Sequence, residues 1–325
     1  MKALLAIDGS RESDNALDTA ASLVWPPGSR LEIVTVVPAD TELLGGPWMY
    51  GSYDMLPAVR DRLREEGHRL VEEAAALIRR PGLEVVSRVL EGRAASMITE
   101  VAKRTGAQLV IVGARGHGTL ERMLLGSVSA EVVDHADCPV LVARRSTAWR
   151  VLVATDGSPD AELGVWLVSE TGIFRYATAC VVNVIDVPAA WWLGFGDTAA
   201  SVEAFSSLAG ESHAHGRRVT EDAVARLRSA GIEAEGAVCE GPAPTEIVAK
   251  ATAWGADLIV VGTRGHGLLK RLVVGSTART VVQHAPMSVL VVRPTSVAPE
   301  PPRGHAVRVA ERRMSATPER MPVPA

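Results

Sequence analysis

The chain repeats itself, and that feature restricts the possible folds more than any other. Lys2-Ala-Leu-Leu-Ala-Ile-Asp-Gly-Ser10 returns as Arg150-Val-Leu-Val-Ala-Thr-Asp-Gly-Ser158, and Val112-Gly-Ala-Arg-Gly-His-Gly118 returns as Val261-Gly-Thr-Arg-Gly-His-Gly267. Asp8 maps to Asp156 at an offset of 148 and Gly113 to Gly262 at 149, so the two copies differ by one net residue across that interval. A solenoid needs shorter units and more of them. The expectation is two similar domains, residues 1–145 and 149–294, joined by a link too short to act as a tether, so that the domains touch. Beyond Pro294 the composition turns to Pro, Arg, Ala and Glu without apolar period, and residues 295–325 read as a disordered tail.

Within each copy, short β-branched runs alternate with amphipathic stretches, the signature of βαβ units and a parallel sheet. Expected strands are 2–7, 31–37, 83–90, 108–112 and 139–143, then 150–155, 179–185, 232–239, 257–261 and 288–293. The fourth strand of each copy, Leu109-Val-Ile-Val and Leu258-Ile-Val-Val, is continuously apolar, as a strand covered on both faces should be. Helices are expected over 10–23, 60–78, 95–104 and 128–135, and over 163–169, 202–227 and 245–254. Gly106 and Gly255 stand where two of them should stop. In such α/β sheets a ligand sits beyond the carboxyl ends of the strands, where strand order reverses.

Two features of each copy converge on that edge. One is Asp-Gly-Ser after strand one, at Asp8 and Asp156. The other is a glycine series after strand four, with Gly113, Gly116 and Gly126-Ser127 in the first copy and Gly262, Gly265 and Gly275-Ser276 in the second. Glycines let main-chain amides approach an anion, and Gly126-Ser127 opens a helix whose unpaired N–H groups and dipole favour phosphate. Ser127 adds a hydroxyl. The Asp8 carboxylate repels phosphate but suits a ribose hydroxyl or an adenine amino group. The competing account is that these glycines only turn the chain and Ser127 only caps a helix; duplication at identical spacing favours nucleotide binding.

This constellation resembles the ATP-binding branch of the universal stress protein family, whose motif is G-x2-G-x9-G-[S/T] with an Asp after strand one. The resemblance covers about residues 2–145 and 149–294. It implies two Rossmann-like domains, each a five-stranded parallel sheet of order 3-2-1-4-5 between helices, binding ATP with Mg²⁺. It further implies that Asp8 and Asp156 hold the adenosine end and that Val36 and Val184 line the base. Gly113, Gly116, Gly126, Ser127 and Val128, and likewise Gly262, Gly265, Gly275, Ser276 and Thr277, would cradle the phosphates. Last strands pair antiparallel across a dimer in this family, so Val140-Leu-Val and Val289-Leu-Val are expected to pair within one chain as an internal pseudo-dimer, with further homodimerisation left open.

Other residues carry less. Arg115, Arg264, His117 and His266 serve either phosphate or a solvated loop, and Arg122 and Arg271 read as a solvated helix face. The histidines lack the local partners of a metal site. The aromatic loops after strand two, Pro47–Tyr50 and Trp191–Phe195, read as packing or a protein-partner patch before a lid, because the two copies differ there. Cys138, Cys180 and Cys239 show no CxxC spacing and read as buried thiols in a reducing compartment. A formal charge of −4 and a pI near 6.1 lack the basic footprint of a nucleic-acid or membrane binder. With no leader-like start and no long apolar run, the expected location is the cytoplasm; the preponderance of Arg over Lys fits a GC-rich bacterial genome. Three functions remain open: a regulatory, stress-response nucleotide-binding module without catalytic residues, a slow ATPase or phosphoryl-transfer enzyme lacking a Walker signature, and a scaffold with vestigial sites.

Overall fold

The computed structural model describes residues 1–39, 56–116, 125–186, 199–263 and 274–294. The aromatic loops, Gly265, Arg264, the two histidines of the glycine series, Arg122, Arg271 and the tail lie outside the described residues. In chain order the elements of the first half are β1 (Lys2–Ala6), α1 (Arg11–Ser22), β2 (Ser29–Val37), α2 (Leu56–Ile78), β3 (Leu83–Glu91), α3 (Ala94–Thr105), β4 (Leu109–Gly113), α4 (Ser127–His135) and β5 (Val140–Ala143). The second half repeats them as β6 (Arg150–Ala154), α5 (Pro159–Glu170), β7 (Thr178–Ile185), α6 (Ala199–Ser229), β8 (Glu233–Glu240), α7 (Ala243–Trp254), β9 (Leu258–Gly262), α8 (Ser276–His284) and β10 (Ser288–Val292).

The ten strands form one sheet of order β3-β2-β1-β4-β5-β10-β9-β6-β7-β8, so each half has the expected order 3-2-1-4-5. Every pairing inside a half is parallel. The join is antiparallel: Val140 faces Val291, Leu141 faces Leu290 and Val142 faces Val289. All residues of β4, β5 and β10 are buried, which explains their unbroken apolar runs. Two apolar layers cover the sheet, and both run through the join. Leu5, Ile111 and Leu141 pack with Leu290, Val153 and Leu163 on the face of α1, α2, α5 and α6. Leu4, Val110 and Val142 pack with Val289, Leu152 and Val281 on the face of α3, α4, α7 and α8.

Polar bonds tie the halves at the same place. The Arg144 guanidinium donates to the Val282 carbonyl in the last turn of α8 at 2.6 Å. Its counterpart Arg293 donates to Ala136 at 2.5 Å and to Val133, which closes α4. Each arginine thus answers the carbonyl end of a helix in the other half, where a cation is favoured. Ser288 Oγ accepts the amides of Arg144 and Arg145, both at 3.0 Å.

Helix ends follow local chemistry. Ser10 caps α1 by accepting the Ser13 amide at 3.2 Å. Gly106 (φ 66°) and Gly255 (φ 72°) close α3 and α7 in the left-handed conformation, as their positions in the sequence suggest. Helix α5 begins four residues before its expected start, with Pro159 at its first position. It is buried on most sides, so its apolar residues lack the one-sided period that marks a surface helix.

Two mid-helical glycines set how closely α2 and α6 approach the sheet. A Cβ on Gly67 would stand 3.1 Å from Thr35 Cγ2 and 3.2 Å from Val89 Cγ1. On Gly216 it would stand 2.5 Å from Asn183 Oδ1, and Asn183 is held by donating Nδ2 to the Thr155 carbonyl at 2.8 Å. Gly216→Ala is therefore expected to lower stability by about 1–2 kcal/mol in urea titration, because overpacking outweighs the helix-propensity gain of about 1 kcal/mol. Gly67→Ala, whose neighbours are methyl groups with room to yield, should be closer to neutral.

The three cysteines are free. Burial pushes the Cys138 thiol up to about 12 and the Cys180 thiol up to about 11, and raises that of half-buried Cys239. Folded protein treated with a disulfide reagent at pH 8 should modify Cys239 first, and release the remaining equivalents only on unfolding. Fast modification of all three in the native state would contradict this packing.

Candidate functional site

The site is assembled where β1 and β4 end side by side. The Ile7 amide still bonds Val34 O at 2.9 Å, after which the chain leaves the sheet and Gly9 turns it with φ 78°. Asp8 Oδ1 accepts the Ser10 amide at 3.0 Å and the Ser10 hydroxyl at 2.6 Å, a tight local turn that fixes the carboxylate at the strand edge. Ser10 thus both orients Asp8 and caps α1, a coupling that only the Asp-Gly-Ser spacing hints at.

The glycines across the crevice answer three different constraints. A Cβ on Gly113 would lie 2.6 Å from the Glu12 carbonyl oxygen, so this buried glycine lets α1 rest directly on β4. A Cβ on Gly116 would lie 2.2 Å from Asp8 Oδ2, so this glycine leaves room for the carboxylate. Gly126 donates its amide to the Ala114 carbonyl at 2.8 Å, and a Cβ there would meet Arg115 Cα at 3.1 Å. The two ends of the segment between Gly116 and Gly126 are therefore pinned together, and α4 starts beside Asp8.

Gly126 is the N-cap of α4 with extended backbone (φ −67°, ψ 152°) and contributes no side-chain cap. The competing account, in which Ser127 caps the helix, does not hold: Ser127 is the first helical residue and is exposed. The amides of Ser127 and Val128 fall in the first turn, where no intrahelical acceptor exists. The first turn of α4 has no acidic side chain, whereas α1 carries Glu12 and Asp14 in its own. A helix dipole left unanswered in this way favours an anion. Ser129, one turn in, donates its hydroxyl to the Gly113 carbonyl at 2.6 Å and ties the helix start to β4. Val36, half-buried near the end of β2 and paired with Leu90, belongs to the face that carries α4.

The second half repeats this plan. The Thr155 amide bonds Val182 O at 2.9 Å, Gly157 turns the chain with φ 76°, and Asp156 Oδ1 accepts the Ser158 amide at 2.9 Å. Gly262 lets α5 approach, since a Cβ would stand 2.8 Å from the Ala161 amide nitrogen. The Gly275 amide closes on Thr263 O at 2.7 Å and α8 begins at Ser276, again without a first-turn acid although α5 has Asp160 and Glu162. Thr277 is half-buried there, and Val184 sits near the end of β7 as Val36 does on β2. One bond is peculiar to this half: Thr263 Oγ1 donates to buried Asp160 at 2.6 Å, where the first half has Ala114 and Glu12.

The sequence reading missed Ser129 and the arginine pair. Arg144 and Arg293 recur at the repeat offset directly after the last strand of each copy, a signal that could have singled them out. Among the described residues no group of three or more His, Cys, Asp or Glu side chains could hold a metal ion, and no helix is long and apolar enough to cross a membrane.

Comparison with known proteins agrees with this architecture. The model of the universal stress protein family matches residues 1–144 and again 149–293. Universal stress protein Rv2005c of Mycobacterium tuberculosis is 30% identical over 303 residues, covering 89% of this chain and 96% of that one. Universal stress protein YxiE of Bacillus subtilis is 34% identical over 147 residues, 44% of this chain but 98% of its own length, as expected if it corresponds to one half. Among solved structures, a universal stress protein from Archaeoglobus fulgidus superposes with a TM-score of 0.57 at 21% identity, covering 90% of this chain and 98% of that one, a likeness of fold. With a match to the family model in each half and a relative aligned through both, the chain belongs to the universal stress protein family as a tandem, two-domain member.

Proposed function

We propose that each half binds one adenine nucleotide, ATP accompanied by Mg²⁺, and that the chain is a cytoplasmic regulatory module whose conformation or partner choice follows nucleotide occupancy. The observation that carries this reading is the repeated pair of a locally clamped carboxylate and an acid-free helix start, with Gly116 abutting the carboxylate in the first half. Asp8 and Asp156 would accept from the ribose or adenine, and Val36 and Val184 would flank the base. The first-turn amides at Ser127 and Val128, and at Ser276 and Thr277, would take the phosphates. Gly116 supports the fit directly, since any side chain there would fill the space beside Asp8. The metal would neutralise triphosphate charge. Gly113 and Gly262 serve this site through helix packing, and Gly265 is the counterpart of Gly116 in the repeat.

Equilibrium dialysis with ATP and Mg²⁺ should find two nucleotides per chain, and saturation should raise the melting temperature, worth about 2.7 kcal/mol per site at a hundredfold excess over Kd. Ser127→Pro with Ser276→Pro is a sharp test. Proline is tolerated at the first helical position, and the preceding Gly126 and Gly275 already have the extended backbone that proline requires. The substitutions remove one phosphate-facing amide per half and should weaken ATP by roughly tenfold while leaving the fold intact. ATP turnover that Asp8→Ala with Asp156→Ala abolishes would instead make the protein an enzyme, and no binding at all would leave a scaffold.

A further inference from the structure

A cavity of about 420 Å³ opens at the seam between the halves, between the start of α1 and the end of α8. Arg11 and Asn15 of α1, Arg115 after β4, Arg144 after β5 and His284 at the end of α8 line it, with Glu12 as the one acid among the described lining residues. Three guanidiniums from three separate segments therefore share one small basin. Arg144 is spent only in part: Nη2 closes α8 through Val282 O, whereas Nη1 is buried without a hydrogen-bond partner among the described residues. Burial, and then the neighbouring charge of Arg115, bring its pKa down to about 10, the mark of a cation held against another cation without an adequate counter-charge. A buried donor in that state costs free energy, and Nη1 gains an acceptor only if the guanidinium turns out into the basin.

The internal repeat supplies a control. At the dyad-related place Arg11 becomes Pro159, Asn15 becomes Leu163 and Pro286 becomes Asp137. A cavity of about 240 Å³ reaches Leu163 and Arg293 of that place and is otherwise lined by residues such as Trp166, Leu167 and Pro139. Burial lowers the pKa of Arg293 as well, but Asp134, Asp137 and Asp160 oppose that shift by favouring its charged form. The second half keeps arginine at the places of Arg115 and Arg144, as Arg264 and Arg293, so what sets the first half apart is Arg11 and the lack of an acid at Pro286.

We propose that the seam cavity of the first half binds a small phosphorylated anion, with Arg11, Arg115 and Arg144 as its ligands, at a site separate from the nucleotide crevice. Planar guanidiniums suit the oxygens of a phosphate group, and the volume matches a small molecule. Arg115 connects the two places, since it packs against Gly126 at the start of α4 and also lines the seam. Occupancy of the seam would thus bear on the nucleotide cradle of the first half and on no equivalent in the second.

The test is isothermal titration of the full chain with inorganic pyrophosphate at low salt. One site per chain is expected. Arg11→Ala with Pro286→Asp, both at exposed positions, copies the loss of charge seen in the second half and should weaken pyrophosphate by roughly tenfold or more. The same pair should leave ATP affinity unchanged, and Ser127→Pro should leave pyrophosphate affinity unchanged. Absence of pyrophosphate binding at millimolar concentration, or binding that survives Arg11→Ala with Pro286→Asp, would overturn the proposal. So would loss of pyrophosphate in Ser127→Pro, or a parallel loss of ATP in the seam pair, because either would assign the anion to the nucleotide crevice.

Discussion

The antiparallel pairing of β5 with β10 is the contact on which the rest of the molecule depends. Each half ends in a short, wholly buried and mostly apolar strand, and such an edge left open would invite pairing with other chains. Joining the two edges removes that hazard and lets both apolar layers run across the seam without a break. It also sets the geometry of function. Because strands of the two halves run in opposite directions, the two carboxyl edges, and with them the two Asp-glycine crevices, face opposite ends of one sheet. Arg144 and Arg293 fix the same relation by closing helices across the dyad.

Within each crevice the motif glycines are not interchangeable. Gly113 and Gly262 bring a helix onto a strand, Gly116 leaves space for a carboxylate, and Gly126 and Gly275 close a segment and start a helix. Only the last act places main-chain amides where an anion could meet them. The contrast between the acid-bearing starts of α1 and α5 and the acid-free starts of α4 and α8 is the electrostatic half of the same design. Family membership narrows the function to that of a universal stress protein, and the adenine nucleotide proposed above as its ligand rests on the paired crevices.

Much of this was legible in the sequence because it rests on local rules and on repetition. Strand β4 was visible as an unbroken apolar run, α3 and α7 by the glycines that end them, and the seam by Val140-Leu-Val and Val289-Leu-Val recurring at the close of each copy. What was not legible depends on approach between distant segments. Nothing local distinguishes Gly67 and Gly216 from ordinary helix-weakening glycines until Thr35, Val89 and Asn183 are seen beneath them. The start of α5 was obscured because burial on most sides erased its period. Arg144 carries no local signal of its cross-seam bond, and its partial burial between two halves is a property of the assembled sheet alone. Divergence of the seam cavities likewise appears only when the dyad brings Arg11 opposite the end of α8.

The most direct test of the central claim is a crystal structure of the chain grown with ATP and Mg²⁺. The account predicts nucleotide at both ends of the sheet, with adenosine against Asp8 and Asp156 and phosphates on the first-turn amides of α4 and α8. Density for neither nucleotide, or phosphates lodged away from those helix starts, would contradict it.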